Sequence, residues 1–495
     1  MTTLVPTVGA PSAKIKWQSI NWKTALKIVN RLQVRIAKAI KSGHHNKAKA
    51  LQWLLTHSFF AKLLAVRRVT QNKGKNTPGI DHVIWKTTKQ KMLAVDSLKR
   101  RGYKSSPLRR IYIPKKNGKL RPLGIPTMAD RAMQALHLLA LEPISETLAD
   151  KNSYGFRPKR SLHDAIGQCF MNLCHKTSAH WILEGDIKSC FDKISHEWLR
   201  NNVVIDKMIL EQWLDAGFME KDIFHKTSEG TPQGGIASPC LANIALDGLE
   251  DTILAVGKQT DKLHFVRYAD DWICTASSKE ILEEKVLPTV TCFLKERGLE
   301  LSQEKTLITQ INEGFDFLGF NLRKYKKKLL IKPGKKGTKA FLRDIREVIH
   351  SKQTIKTENL IRILNPKIQG WANHNRHVVS KETFSRVDAN IFKSLWTWAK
   401  RRHPKKSISW VKNKYFTRMG RKDWILFSHQ NNKSKENTIL TIKFASDTPI
   451  ERHVKIRADA NPYDSDFEDY FQERKLKCRS KVVMSSSGNV KMSSF

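Results

Sequence analysis

The chain has 495 residues, about three times a usual domain length, so two to four domains with sizeable cores are expected. Lys and Arg number 89 against 46 Asp and Glu, and a net charge of +43 repels itself unless a polyanion compensates it, which points to nucleic acid. Hydrophobic content of 40% with 13 Trp and 21 Phe excludes wholesale disorder, and no run approaches the ~18 apolar residues of a membrane span.

Residues 1–13 carry no side-chain charge and no targeting signature, so a cytoplasmic protein is expected. The seven cysteines form no C-x-x-C pair, which argues against a zinc ribbon or disulfide scaffold and for a reducing compartment. Fifteen Lys or Arg precede the first acid, Asp81. Leu26, Val29, Leu32, Ile36 and Ile40 recur at helical spacing, with Lys27, Arg31, Arg35 and Lys38 on other faces. Residues 51–66 read as a second helix. A solvated basic face is the bland interpretation. A phosphate-binding face is favoured, because eighty residues without an acid are costly to hold together unneutralised.

Asn76-Thr-Pro-Gly-Ile-Asp81 is a turn cluster, and residues 108–114 and 119–126 read as two strands around Asn117-Gly118, a strong hairpin signal. Residues 99–121 hold ten basic residues and no acid. A helix is expected over 128–148. Trp181-Ile-Leu-Glu-Gly-Asp186 is a short apolar strand ending in a carboxylate, and residues 230–239 form a Gly/Pro-punctuated loop opening a helix over 240–255. Residues 264–268 and 272–276 are expected strands separated by Ala269-Asp270-Asp271, a hairpin tipped with acids. A helix over 279–297 and a hairpin around Phe315-Asp-Phe-Leu-Gly-Phe320 follow. Residues 323–343, with ten basic residues and no acid, read as a charged connector. Three helical patterns come next, over 340–351, 358–375 and 383–402, whose Trp371, Trp396 and Trp398 are expected in the core.

Hydrophobic strands that deliver Asp186, Asp270 and Asp271 to a common edge would destabilise the fold unless a cation neutralised them. Two Mg²⁺ ions about 3.5–4 Å apart would do so and would also serve an in-line phosphoryl transfer, with hard oxygen ligands suiting Mg²⁺. A lone Asp-Asp in a turn is common, because Asp tolerates turn geometry. Its flanking β-rich runs, the distant Asp186 strand and the Pro-Gln-Gly loop between them make the combination specific.

These stretches resemble group II intron-encoded reverse transcriptases, the reverse transcriptase/maturase family. The resemblance is carried by Asn76–Asp81, by Arg110-Ile-Tyr-Ile-Pro-Lys115 with Arg121-Pro-Leu-Gly-Ile-Pro126, and by Ser153-Tyr-Gly-Phe-Arg-Pro158. It continues through Gly185-Asp-Ile-Lys-Ser-Cys-Phe-Asp192, Gly230-Thr-Pro-Gln-Gly-Gly235, Arg267-Tyr-Ala-Asp-Asp271, Phe315-Asp-Phe-Leu-Gly319 and Gly370-Trp-Ala-Asn373. In order, it covers roughly residues 20–475.

The resemblance implies an α+β right-hand polymerase of fingers, palm and thumb, with an antiparallel palm sheet followed by an α-helical thumb/maturase domain. The expected division is a basic helical N-terminal extension over 1–70, fingers and palm over 71–330, and thumb/maturase over 331–430. A basic DNA-binding region over 431–475 and a disordered tail over 476–495 complete it. Asp186, Asp270 and Asp271 are implied as the catalytic Mg²⁺ ligands, two ions with Mn²⁺ as a substitute, and the Ile187 carbonyl as a further ligand. Phe191 matches the steric gate against a ribonucleotide 2′-OH, with an ordinary core Phe as its alternative. Lys115 and Arg121 match residues that grip the incoming triphosphate, Gln233 lines the nucleotide pocket, and Phe317, Leu318 and Gly319 match the primer grip. The partners implied are group II intron RNA, an RNA template with a DNA primer, dNTPs and target DNA, with no membrane.

Many members continue into an HNH endonuclease. Here no His follows His453 and Cys478 is the one late cysteine, so a form lacking that nuclease is expected. Asp464, Asp466, Glu468 and Asp469 are expected to begin a solvated helix rather than bind metal. The implied function is an RNA-directed DNA polymerase that also binds its intron RNA to assist splicing and retrohoming, in the bacterial cytoplasm or an organelle of bacterial ancestry. The alternatives are an RNA-binding splicing cofactor only, or a domesticated reverse transcriptase serving CRISPR adaptation or defence.

Overall fold

The computed structural model describes residues 16–114, 118, 120–221, 223–231, 234–430 and 438–476. Three helices open the chain, α1 (Trp22–Lys41), α2 (His45–His57) and α3 (Phe59–Gln71), followed by α4 (Thr88–Ser97). The Asn21 side chain caps α1 by accepting from the Thr24 amide, and Thr87 and Gln90 form a reciprocal capping box on α4. Strands β1 (Leu108–Pro114) and β2 (Leu120–Ile125) precede α5 (Met128–Leu148) and α6 (Leu162–Leu173). Then come β3 (Trp181–Asp186), the single turn α7 (Cys190–Lys193), α8 (His196–Asn202) and α9 (Lys207–Leu214). Short strands β4 (Phe218–Glu220) and β5 (Ile223–His225) lead to α10 (Ser238–Leu246) and α11 (Leu249–Ala255). The hairpin β6 (His264–Tyr268) and β7 (Asp271–Ala276), then α12 (Leu287–Lys295) and β8 (Leu307–Gln310), follow.

The expected helix over 240–255 is interrupted. Asp247 ends α10 and Gly248, at φ +91°, turns the chain before α11 begins. The expected helix over 279–297 opens as a π-helical stretch, Ile281–Val286, before α12.

Next stand β9 (Phe315–Phe317), β10 (Phe320–Tyr325), β11 (Lys328–Pro333), α13 (Lys335–Ser351), α14 (Thr357–Asn375), α15 (Lys381–Arg402) and α16 (Ile408–Tyr415). Strands β12 (Phe416–Met419), β13 (Lys422–Gln430) and β14 (Thr438–Thr441) follow, and residues 468–476 are again helical. Residues 323–343 are therefore not the expected connector. Leu322, Leu329 and Ile331 are buried at alternating positions of β10 and β11, which pair antiparallel from Phe320↔Pro333 to Tyr325↔Lys328. Even Lys324 is buried there, its Nζ donating to the Ser178 hydroxyl and the His175 carbonyl at 2.6 and 2.9 Å. Alternation of period two outweighs the charge run.

The chain forms two compact units. Among the described residues, the first is drawn from 16–165, 182–308 and 456–476, the second from 166–181 and 309–455. In the first, Val29, Ile36 and Ile40 of α1 share one core with Leu55, Val66, Leu136 and Ile144, so the basic N-terminal helices and α5 bury a common apolar face. Lys27, Arg31, Arg35 and Lys38 remain exposed. One sheet runs β2-β1-β4-β5 and the other β6-β7-β3-β8. Asp464 caps a short 3₁₀ turn, Ser465–Phe467, and pairs with Lys41 at 2.8 Å. In the second unit, α13, α14 and α15 pack around Ile345, Leu364, Phe384, Val387 and Leu395. Trp398 is buried there, while Trp371 and Trp396 are half-buried. Among the described residues no helix is long and apolar enough to cross a membrane.

Candidate active site

The site is built where β3 lies beside β7. Tyr268 pairs with Asp271 across the β6–β7 hairpin, so Ala269 and Asp270 form a two-residue turn, with Ala269 in the left-handed region at φ +59°. Gly185 explains the close approach of β3. A Cβ there would stand 2.1 Å from Cζ2 of the buried Trp272. Trp272 follows Asp271 and Gly185 precedes Asp186, so this contact sets the two acids side by side. Gly155, from the Ser153–Pro158 motif, seats the turn from another direction, since a Cβ on it would lie 2.3 Å from the Ala269 nitrogen.

The electrostatics agree. Burial raises the Asp270 carboxyl above its ordinary range, with the Asp186 charge adding to the rise, while Arg121 and Lys305 oppose it. Asp271 reaches solvent, yet the protein packed about it pushes its carboxyl up to about 6, with the Asp270 and Asp186 charges adding and Lys305 opposing. Each shift disfavours the charged form, first through burial and then through the neighbouring acids, and a bound cation would offset both. Lys305 supplies part of that relief. Its Nζ donates to Asp186 Oδ2 at 2.6 Å, and this bond raises the ammonium's own pKa.

Among the described residues no three His, Cys, Asp or Glu side chains are gathered as a closed metal cage. The donor set nonetheless fits Mg²⁺, which keeps several waters and shares positions with substrate phosphates rather than demanding an all-protein cage. Ile187 fits as well. Lys188 N–H donates to the Glu300 carbonyl and Ser302 N–H to the Asp186 carbonyl, the pattern of a non-hydrogen-bonded antiparallel pair between Ile187 and Leu301. The Ile187 carbonyl therefore faces the other edge of its strand.

Phe191 lies on α7, entered through Ser189 at φ +49°. Its ring meets Phe156 edge to face at 6.2 Å, and its carbonyl accepts from the Thr231 amide at 2.6 Å. Gly230 permits that approach, because a Cβ on it would stand 2.6 Å from the Asp192 backbone. The neighbouring Cys190 thiol is pushed up to about 12 by burial, with the Asp270 charge adding, so it stays protonated. Arg121, exposed on β2, is close enough for its charge to act on Asp270. Lys115 and Gln233 lie outside the described residues. Phe317, Leu318 and Gly319 belong to the second unit. There Leu318 and Gly319, at φ +50° and +84°, make the two-residue turn between β9 and β10.

Two features have no local sequence signal. Lys305 stands 119 residues beyond Asp186. Behind the Ala269–Asp270 turn lies a buried charge network. Arg267, fully buried, pairs with Asp247, lies 3.7 Å from Asp150 and donates to Asn243 Oδ1 at 3.3 Å, and Asn243 Nδ2 donates to the Gly155 carbonyl at 2.9 Å. Arg157 forks onto Glu146 with two 2.9 Å bonds and donates to the Asp150 and Ser153 carbonyls.

Residues 113–322 match the family model described as reverse transcriptase (RNA-dependent DNA polymerase). Residues 17–98 match the N-terminal domain of reverse transcriptase, and residues 338–416 the group II intron maturase-specific domain. Protein YkfC of Escherichia coli is 34% identical over 342 residues, 60% of this chain and 88% of that protein. The chain belongs to the group II intron reverse transcriptase/maturase family. Group II intron-encoded protein LtrA of Lactococcus lactis is 33% identical over 328 residues, 52% of this chain and about half, 54%, of LtrA. Among solved structures, telomerase from Candida albicans aligns over 63% of this chain and 59% of its own, at 13% identity and a TM-score of 0.37.

Proposed function

We propose that this group II intron reverse transcriptase copies RNA into DNA at Asp186, Asp270 and Asp271, and that it holds its intron RNA as a maturase to assist splicing and retrohoming. The observation that carries this reading is the seating of Trp272 on Gly185, which makes neighbours of acids from two separate strands. Two bound Mg²⁺ ions would offset the carboxylate charges and stabilise the attacking 3′ oxygen and the leaving pyrophosphate. The three aspartates and the Ile187 carbonyl would hold them, and Lys305 already donates to Asp186 from beside the proposed metal position.

The remaining roles concern the substrates. Arg121, with Lys115, grips the triphosphate of a dNTP, where cationic contacts stabilise developing charge. Phe191, buttressed by Phe156, closes the space a 2′-OH would need, and Gln233 acts on the same incoming nucleotide. The Phe317–Gly319 turn holds the primer end. Intron RNA and target DNA are held by basic surfaces, among them the exposed face of α1, and such binding weakens steeply with salt. Here the intron supplies the splicing chemistry and the protein the binding energy.

Primer extension on poly(rA)/oligo(dT) with Mg²⁺ tests the reading. The wild type extends the primer, and Asp270→Ala falls to background while its affinity for intron RNA holds. Extension by Asp270→Ala near the wild-type rate would remove the site assignment, and no extension by the wild type would remove the polymerase.

A further inference from the structure

In the second unit an open cleft of about 490 Å³ is lined by Phe392 and Trp396 of α15, Trp424 of β13 and Phe444 beyond β14, with Asp388 and Asp423 at its rim. This volume lies in the range of about 300–1,000 Å³ that small-ligand sites occupy. Trp396 and Trp424 meet edge to face at 5.2 Å and 85°, Phe392 and Trp424 at 5.9 Å and 84°, and all four rings are half-buried. Trp424 and Phe444 lie beyond the matched maturase-specific domain, which ends at residue 416.

Three observations separate this cleft from an ordinary edge of the core. Trp424 adopts φ +59°, a left-handed conformation that a bulky residue avoids unless its surroundings enforce it. The cause is a β-bulge. Register passes from Thr417↔Ile425 to Met419↔Lys422, so Asp423 and Trp424 together oppose Arg418, and a bulge of this kind re-aims a side chain. The chain that builds the cleft is also strongly basic. Eleven Lys or Arg against a single acid lie between Phe392 and Trp424. Lys412 sits 4.6 Å over the Trp424 ring, Lys422 4.2 Å over Phe444, and Lys400 6.0 Å from Trp396. The nearby acids each have a donor of the protein. Asp388 accepts from the Ala445 and Ser446 amides at 2.8 and 2.9 Å, Asp423 is 3.6 Å from Lys412, and Asp447 pairs with Lys422, so a phosphate would share these two lysines with their carboxylates.

We propose that this cleft takes one unpaired nucleobase of a single-stranded nucleic acid, stacked against Trp424 and Trp396, with the flanking phosphates on Lys400, Lys412 and Lys422. Every base has a π-face and every flanking linkage a negative charge, so rings rimmed by cations suit this ligand. The source is an unpaired nucleotide of RNA or of melted DNA. The inference rests on the nucleic-acid reading above but not on polymerase activity.

The test uses the whole protein with its polymerase groove first filled by an RNA template carrying a dideoxy-terminated DNA primer. Fluorescent r(A)₈, d(A)₈ and an abasic octamer of equal charge are then titrated. The wild type binds a base-bearing octamer more tightly than the abasic one. Trp424→Ala loses roughly 5- to 150-fold on the base-bearing probe and nothing on the abasic one, the contribution of one stacked base. Trp424→Phe retains most of the affinity, and both variants extend poly(rA)/oligo(dT) at the wild-type rate. Preference for r(A)₈ identifies RNA as the source, and preference for d(A)₈ identifies DNA. Equal loss on the abasic octamer, or no loss on any, overturns the proposal. Base-dependent binding by a wild type that fails to extend primers would strike the polymerase reading and leave the cleft standing.

Discussion

Gly185→Ala probes the placement of the acids without touching a carboxylate. Carbon atoms in contact sit about 3.5–4.0 Å apart, whereas the added methyl would stand 2.1 Å from Trp272 Cζ2 and 2.2 Å from Cε2. Strand or indole must therefore move by roughly 1.5 Å, taking 3.6 Å as the contact distance and subtracting the 2.1 Å approach. Trp272 is 1% exposed, so the strain is not relieved into solvent, and overpacking of this kind costs about 1–3 kcal/mol. The displacement passes directly to Asp186 and Asp271, and a misplacement of ~1 Å in a reacting site costs on the order of 100-fold in rate. Gly185→Ala should accordingly lower kcat for primer extension about 100-fold and lower the thermal midpoint, with intron RNA affinity unchanged. Adding Trp272→Leu removes the ring atoms that the methyl meets. The double variant should then extend faster than Gly185→Ala alone. Wild-type turnover by Gly185→Ala, or a double variant no faster than Gly185→Ala, would refute the packing argument.

Phe191→Val should admit ribonucleotides, read as the ratio of rNTP to dNTP incorporation on one template, and an unchanged ratio would return Phe191 to an ordinary packing role. Lys305→Met removes a cation that competes with Mg²⁺ for Asp186. With a side chain 65% exposed, its pair is worth at most ~1 kcal/mol, so the half-saturating Mg²⁺ concentration should fall by up to about 5-fold. An unmoved Mg²⁺ curve would detach Lys305 from the site. Deleting the first forty residues would remove Val29 and Ile36 from a shared core. The cleaner test of the N-terminal basic face is therefore the exposed set Lys27, Arg31, Arg35 and Lys38 changed together to Gln. Loss of up to four phosphate contacts should reduce the slope of log affinity for intron RNA against log salt by up to about 3. An unchanged slope would place the contacts elsewhere.

What the sequence discloses is what lies close in the chain. Asp270 and Asp271 stand between two apolar runs and Asp186 closes a third, so strand ends and acids are legible together. The close packing of those strands is not. It depends on Gly185 meeting a tryptophan 87 positions later, and neither residue signals the other. Lys305 reads as one more surface lysine until Asp186 is found beside it. Asp247 reads as the interior of one long helix, because Gly248 alone does not announce a break. Once the helix is broken, the same carboxylate turns to Arg267. In residues 323–343 the error runs the other way, since ten basic side chains obscure an alternation that buries Leu322, Leu329 and Ile331. Charge marks surfaces well and elements poorly, because a lysine's stem packs while its head reaches a partner.

The network around Arg267 gives the Ala269–Asp270 turn something rigid to stand on. Arg267 lies one residue before Tyr268, its amide donates to the Asn152 carbonyl at 3.0 Å, and its guanidinium ties β6 to Asp247, Asn243 and Asp150. Burial pushes the Asp247 carboxyl up to about 7 even with Arg267 opposing the rise. Its folded pKa thus exceeds the unfolded value of 3.8, so its contribution to stability is full below about 4 and is lost as pH rises through about 7. Arg267→Met leaves the carboxyl buried without its cation, a change that costs about 3–5 kcal/mol when both groups are ionised. The variant's carboxyl then holds its proton to still higher pH. Above pH 7 the wild type stops losing stability from this group while the variant continues, by up to about 1.4 kcal/mol per unit. Arg267→Lys keeps the charge but not the planar fork and should fall between the two. Unfolding midpoints at pH 6.5 and 8.5 decide the matter. A gap between wild type and Arg267→Met that stays the same at both would mean that Asp247 does not titrate against Arg267, and that the turn is held by its backbone bonds alone.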